Sequence, residues 1–449
     1  MRGFLCLALC FLSLVANAVP AGYVGRVGTM GPSSGNRGVS IDLSSNLDNR
    51  ITFTRASSAS YYNASGVLSW ASTDIPRFSY DPSTHVARGL FIEGGRTNIV
   101  LNSENLGSWN APGSGSFTLN SATAPDGTAT MDKLSADSAS AAHFATQSSI
   151  TFVSGTTYTF STYLKPAEQT WAQLTMGFSA FTGSIYANFD ISNGVIGNSS
   201  GVSATIQNIG GGIYRAAITS VANANISTTG PVICLTSSTD PASRLPTTQS
   251  VSGTGIYIWG SQIEAGEFAS SYISTTAAAA TRAVDIANIT NLASIRYNAT
   301  QGTALATFML EGVNNPSVTG MREFQFWGGS SSNRFGVVSL AGAGVAGNIV
   351  AAMTTSGSAQ WGATGQTLQA LPSTFATYKT GFAYQQNNLG AVINGGAVST
   401  NTSASIPTVS SLAIGNNGYD ANNPLFGWFK SLTYYPTRLP DNKLQSLTQ

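Results

Sequence analysis

Side chains able to do chemistry are scarce in this chain. Its 449 residues include two histidines (His85 and His143), three cysteines, 19 acidic and 20 basic residues. Gly31–Gly35 and Gly197–Gly201 both match the Gly-x-Ser-x-Gly pattern of a nucleophilic serine. That chemistry needs the serine on a tight strand-to-helix turn, served by a histidine base and an acid. Neither match precedes a helical pattern, and among 48 glycines such matches arise by chance, so no catalytic residue is assigned. Zinc needs clustered Cys, His or carboxylate ligands; two isolated histidines do not supply them, and no metal site is assigned. Paired carboxylates are the more serious enzyme signal, because a glycosidase sets two acids roughly 5–10 Å apart across the scissile bond. The last third holds Glu311, Glu323, Asp420 and Asp441, with Asp285 at its boundary, and none pair at i, i+2 on one strand face. Glu264 and Glu267 lie three apart in a glycine-containing segment, where a structural calcium is as good a reading as chemistry. No other cofactor is implied.

Binding has better support than catalysis. Aromatic residues make up 10% of the chain, and sugar rings pack their C–H faces on aromatic faces. Trp327, Trp361, Tyr384, Tyr419 and Trp428 lie near Gly- and Asn-rich turns and are the candidate carbohydrate-binding residues. Trp428 is the sharpest candidate, since Phe426 and Phe429 would serve as core neighbours and leave it toward solvent. Trp171 and Trp259 sit inside apolar alternation and read as core.

The elements that must position these residues are strands. Only 9% of residues are charged while 42% are hydrophobic, against about 25% charged in an average protein. That balance excludes charged disorder and long solvent-facing helices or coiled coils. A net charge of +1 excludes electrostatic capture of nucleic acid as the main business of the surface. Residues 1–18 read as a secretory signal: Arg2, an apolar run from Phe4 to Ala16 too short to anchor, then Ala16-Asn17-Ala18 for cleavage. Cleavage removes Cys6 and Cys10, leaves Cys234 without a disulfide partner, and brings the charge to zero. No other segment is apolar for long enough to span a membrane as a helix.

Downstream, short alternating runs separated by Gly, Asn and Ser turns predict an all-β chain: two antiparallel β-sandwich jelly rolls in series after an irregular N-terminal segment. The expected boundaries are 19–102 for that segment, 103–280 for the first sandwich and 286–449 for the second. Thr157–Leu164 alternates, Gly210-Gly211-Gly212 reads as a hairpin tip, and Asn394-Gly395-Gly396 fits a type I′ turn. Only Pro440–Leu447 has helical character.

Three stretches carry a resemblance. Phe53-Thr54-Arg55-Ala56-Ser57-Ser58-Ala59-Ser60-Tyr61, then Pro76-Arg77-Phe78, then Gly89-Leu90-Phe91-Ile92-Glu93 with Arg96-Thr97-Asn98, resembles a motif of tailed-bacteriophage structural proteins. Trp259–Gly266, Ser271-Tyr272-Ile273 and Thr281-Arg282-Ala283-Val284-Asp285 look like the end of a phage head-spike or tail-fibre domain with a carbohydrate-binding-module-like jelly roll. The final block, through Ile414-Gly415, Phe426-Gly427, Tyr434-Tyr435 and Arg438-Leu439-Pro440-Asp441, resembles the concanavalin A-like, laminin-G-like sandwich. Lys430 and Ser431 stand where that family usually carries acids, so no metal site is transferred to that strand.

The resemblance implies a non-enzymatic phage-type appendage, secreted or on a virion surface, that binds a bacterial surface glycan or other polysaccharide. It also implies other virion proteins as partners and a homotrimer, although no heptad stalk is present. The competing class is a secreted polysaccharide hydrolase or lyase on the concanavalin A-like sandwich; two carboxylates meeting in one groove would favour it.

Overall fold

In the computed structural model, residues 37–111, 115–228, 230–312, 321–342, 345–361, 365–370, 374–418 and 424–449 are described. Residues 1–18, read as a signal segment, and Tyr419 lie outside them. Antiparallel strands dominate, and the single α-helix among the described residues is Asp441–Leu447, at the C-terminal position where helical character was expected. Gly38–Gln449 forms one contact unit.

Two sheets build the larger sandwich. One runs Ser399–Asn401, Leu389–Ile393, Thr377–Gln385, Gln301–Leu310, Gly427–Tyr435, Ala87–Ile92, Arg77–Tyr80, with Val39–Asp42 also pairing on Gly427–Tyr435. The other runs Thr52–Thr54, Ile286–Ile289, Ser411–Ile414, Met321–Trp327, Arg334–Gly342, Val345–Thr355, Ser358–Ala359. Their inner faces share one core, in which Ile41, Phe53, Leu90 and Ile92 pack with Phe308, Phe324, Phe335, Phe382 and Phe429.

The smaller sandwich pairs a five-stranded sheet centred on Trp171–Thr175 with a six-stranded sheet centred on Thr157–Pro166 and Gly255–Ala265. Phe160, Leu174, Phe189, Ile218, Ile233 and Ile258 lie in its own core. Thr157–Pro166 is hydrogen-bonded on both edges, and residues 158–164 are buried on both faces.

Order in space differs from order along the chain. The N-terminal segment 19–102, of which residues 22–47 read as irregular while Ile51–Thr54 and Gly89–Ile92 read as strands, supplies strands to both sheets of the larger sandwich, so the smaller sandwich is inserted into the larger one. Arg96–Asn98, where the chain leaves, pairs antiparallel with Ala280–Arg282, where it returns. These N-terminal strands are three to six residues long, and their partners Ile286–Ile289 and Gly427–Tyr435 lie hundreds of residues on, so no local pattern shows which sandwich they complete. The turn readings hold: Asn394 and Gly395 both have positive φ, as a type I′ turn requires, and Gly210–Gly212 caps the hairpin between Ser203–Gly210 and Ile213–Val221.

Candidate functional site

The motif residues meet where the inserted sandwich joins its host. Arg55, Arg77, Glu93, Arg282 and Asp285 are all buried. Arg55 Nη1 lies 3.0 Å from Asp285 Oδ1, and Arg77 bridges Asp285 Oδ2 and Glu93 Oε2, the latter at 2.7 Å. Arg282 Nη1 reaches Glu93 Oε2 at 3.1 Å, and the Ser271 N–H donates to Glu93 Oε1 at 2.8 Å. Burial alone would raise the Glu93 carboxyl; Arg282, Arg77 and Ser271 together hold it well below the usual range. Glu264, beside this cluster, accepts from Ser270 N, Ser270 Oγ and Gln262 Nε2. This is a structural role, and no group of three metal-ligating side chains occurs among the described residues. Sealed from solvent, the network ties Arg55, Arg77 and Glu93 to Arg282 and Asp285, and it reaches the inserted sandwich through Ser271 and through the Arg96–Glu264 pair.

From it a column of cations and rings runs outward. The Arg77 guanidinium sits 4.5 Å from the Phe91 ring centroid, and Phe91 stacks on Trp428 at 4.8 Å and 10°. Arg88 follows, 4.6 Å from Trp428 and 5.0 Å from Phe375. Cation–π contacts of this kind gain strength as they lose water. Phe375 ends the column: it is 41% exposed and has φ +58°. A bulky side chain is rarely found in that left-handed region, and such strain clusters at ligand-contacting positions.

Phe375 stands over a cleft of about 610 Å³ between the two sandwiches. The host contributes Asp81, Ser83, Thr84, Arg88, Glu311 and Thr374; the inserted sandwich contributes Thr205, Gln207, Asn208, Arg215, Glu267 and Phe268. Arg88 is neutralised by Asp81 at 2.6 Å. Burial raises the Asp81 carboxyl, but the Thr84 and Ser83 N–H groups and Arg88 outweigh it, leaving it below its ordinary value. Burial, reinforced by Glu93, raises the Glu311 carboxyl well above its ordinary value. Glu267 is also raised by burial. Three carboxyl groups from distant parts of the sequence therefore line one cleft, together with rings and neutral hydrogen-bonding side chains.

The ring candidates fare differently. Tyr384 is fully buried, and its hydroxyl hydrogen-bonds Asn298 O at 2.6 Å and Tyr434 Oη at 2.7 Å. Trp361 is buried edge-on against Phe382. Trp428 is on the outer face of its sheet, as alternation with Phe429 requires, yet only 2% exposed. Phe91, Arg88 and Phe375 pack on its ring, and Tyr163 and Tyr272 of the inserted sandwich line a small cavity that it shares. None of these three rings presents a face to a ligand, which corrects their assignment as binding residues. Trp327 is half-buried at the end of its strand against Gly418. The Gly197–Gly201 match lies in the exposed edge strand Val195–Ser200 and the turn that crosses to Ser203–Gly210 in the other sheet, and not in a strand-to-helix turn. Phe375, Arg88 and Arg215 escaped sequence reasoning. Only the Leu371-Pro372-Ser373-Thr374-Phe375 composition, a large ring in a turn-rich stretch, offered a signal for the first of them.

Neither a protein-family profile nor a curated protein matches the chain. Among solved structures it is similar to the CBM40 module of the Ruminococcus gnavus IT-sialidase bound to α2,6-sialyllactose, at 12% identity and TM-score 0.27, covering 34% of this chain and 85% of that one. It is also similar to domain 4 of a GH43 arabinanase from Geobacillus stearothermophilus in complex with arabinotriose, at 15% identity and TM-score 0.28, covering 40% and 82%. Mouse laminin α1 domains LG4-5 match at 9% identity and TM-score 0.23, covering 74% and 90%. All three TM-scores are below 0.5, and these likenesses carry no weight for function.

Proposed function

We propose that the chain binds carbohydrate on a bacterial surface as a non-catalytic, phage-type appendage, and that the cleft between the two sandwiches is its binding site. The observation that carries this reading is Phe375. A large ring half exposed, held in a strained backbone conformation and backed by Arg88, is a stacking platform, and Ser83, Thr84, Thr205, Gln207 and Asn208 around it are the neutral donors and acceptors that sugar hydroxyls need. The resemblance to head-spike and tail-fibre proteins supplies the setting, with other virion proteins as partners and a homotrimer as the assembly. Several weak sites on one particle then hold through avidity.

The test is retention of residues 19–449 on immobilised capsule, lipopolysaccharide and plant polysaccharides. Phe375→Ala is expected to weaken retention by about tenfold or more, the loss typical of an exposed aromatic anchor, without lowering the Tm. Undiminished retention by this variant overturns the assignment of the site.

The convergence of Glu311, Glu267 and Asp81 favours a second reading, a polysaccharide hydrolase. The Glu311 carboxyl is raised and that of Asp81 lowered, shifts in the opposite directions that a general acid and its partner need. New reducing ends that disappear in Glu311→Gln would replace the binding reading with this one.

A further inference from the structure

A second recess, of about 410 Å³, opens beside the cleft. Ser83 lines both spaces, and the hairpin tip passes from the cleft at Gln207 and Asn208 to the recess at Ile209, Gly210 and Gly211. The two recesses differ in charge. The cleft holds three carboxyl groups; the recess holds none, and its only ionisable side chains are Lys165 and His85.

Lys165 is half-buried near the end of Thr157–Pro166, and its ammonium makes no hydrogen bond or ion pair among the described residues. The arginines at this junction are all engaged: Arg55 and Arg77 by Asp285, Arg282 by Glu93, Arg88 by Asp81 and Arg96 by Glu264, while Arg215 donates to Ser270 O and Ser161 Oγ without an ion pair among the described residues. A partly desolvated ammonium without a counter-ion gives up hydration and gains no Coulomb energy in return. His85, which lines the same recess, has φ +59°, with its backbone N–H donating to Asp81 O at 2.9 Å. Gly66 stands against the imidazole: a Cβ there would come within 2.6 Å of Nε2. The hairpin tip offers no side chain to fill the recess, because Gly210 and Gly211 form it and a Cβ on Gly211 would meet nothing within 4 Å.

Resting on the assignment of the cleft as a glycan site, we propose that this recess is a second subsite that takes an anionic substituent of the same glycan, with Lys165 as its counter-ion and His85 as part of its lining. The ligand class is thereby narrowed from polysaccharide in general to an acidic polysaccharide. Carboxylate and sulfate ester share the oxyanion that Lys165 would meet.

The experiment compares retention of residues 19–449 on polygalacturonate, on the same polymer after carboxyl reduction, and on dextran sulfate beside neutral dextran. The expected result is that at least one acidic polymer is held about tenfold more tightly than its neutral counterpart, the value of one charge-assisted contact. That preference disappears in Lys165→Gln, survives in Lys165→Arg and weakens as salt is raised. Which acidic polymer is preferred separates the carboxylate from the sulfate source. An acidic preference that persists in Lys165→Gln overturns the subsite, as does equal retention of acidic and neutral polymers. If the neutral polymers are still lost in Phe375→Ala, the cleft reading stands without the subsite. If no polymer is retained by any variant, both fall.

Discussion

A single buried carboxyl group shows how much depends on position. Glu323 is fully buried, accepts from Ser339 Oγ, and is raised by burial from an ordinary 4.5 to about 7. Between those pH values the unfolded chain ionises and the folded chain does not, so this group costs stability as pH rises through that window. The rise corresponds to ~3 kcal/mol. Glu323→Gln keeps an acceptor for Ser339 and cannot ionise. It is expected to remove this loss, and chemical denaturation at pH 5 and pH 8 should show a smaller difference for the variant than for the parent chain. Cys234 makes the same point: burial raises its thiol to about 12, so it is neither a nucleophile nor a ligand despite being the only cysteine outside the signal segment.

Among the elements, the paired strands Arg96–Asn98 and Ala280–Arg282 and the ion network beside them decide how the sandwiches join. Glu93→Gln removes one carboxylate that faces two buried guanidinium groups. Breaking a buried pair in this way typically costs about 3–5 kcal/mol, which urea unfolding at pH 7 will measure. Because the native Glu93 titrates below its unfolded value, its stabilisation is complete above about pH 4.5 and fades as pH falls below that. The parent chain should lose stability steeply on acidification, and Glu93→Gln should lose less over the same range. A variant as stable as the parent at pH 7 would show that the network does not stabilise the junction.

For the whole molecule, insertion has a mechanical consequence. Strands from 39–92 and from 286–435 complete the same two sheets, so the larger sandwich cannot form until the chain has closed around the smaller one. With the network bridging them, the two cores are expected to melt in one calorimetric transition at pH 7. Toward pH 2, where Glu93 protonates in the folded chain, they should separate into two. A pair of well-resolved transitions already at pH 7 would count against coupling through the network.

The sequence alone determined the fold class, because alternation, sparse charge and turn residues act locally: the Asn394-Gly395 turn, the Gly210–Gly212 tip, the Thr157–Leu164 strand and the C-terminal helix follow from residues within a few positions of one another. It also marked Arg55, Arg77, Glu93, Arg282 and Asp285 as a set, through the motifs that carry them. Only the tertiary structure decided what that set does and where ligands can reach. Trp428 shows the reason. Alternation correctly turned it away from the core beneath its sheet, but Phe91 and Arg88, on a strand more than 300 residues earlier in the chain, pack on its ring and close that face. Phe375, Arg215, Glu311 and Lys165 are brought to one junction by the insertion of the smaller sandwich, and no local pattern encodes contacts across so long a separation.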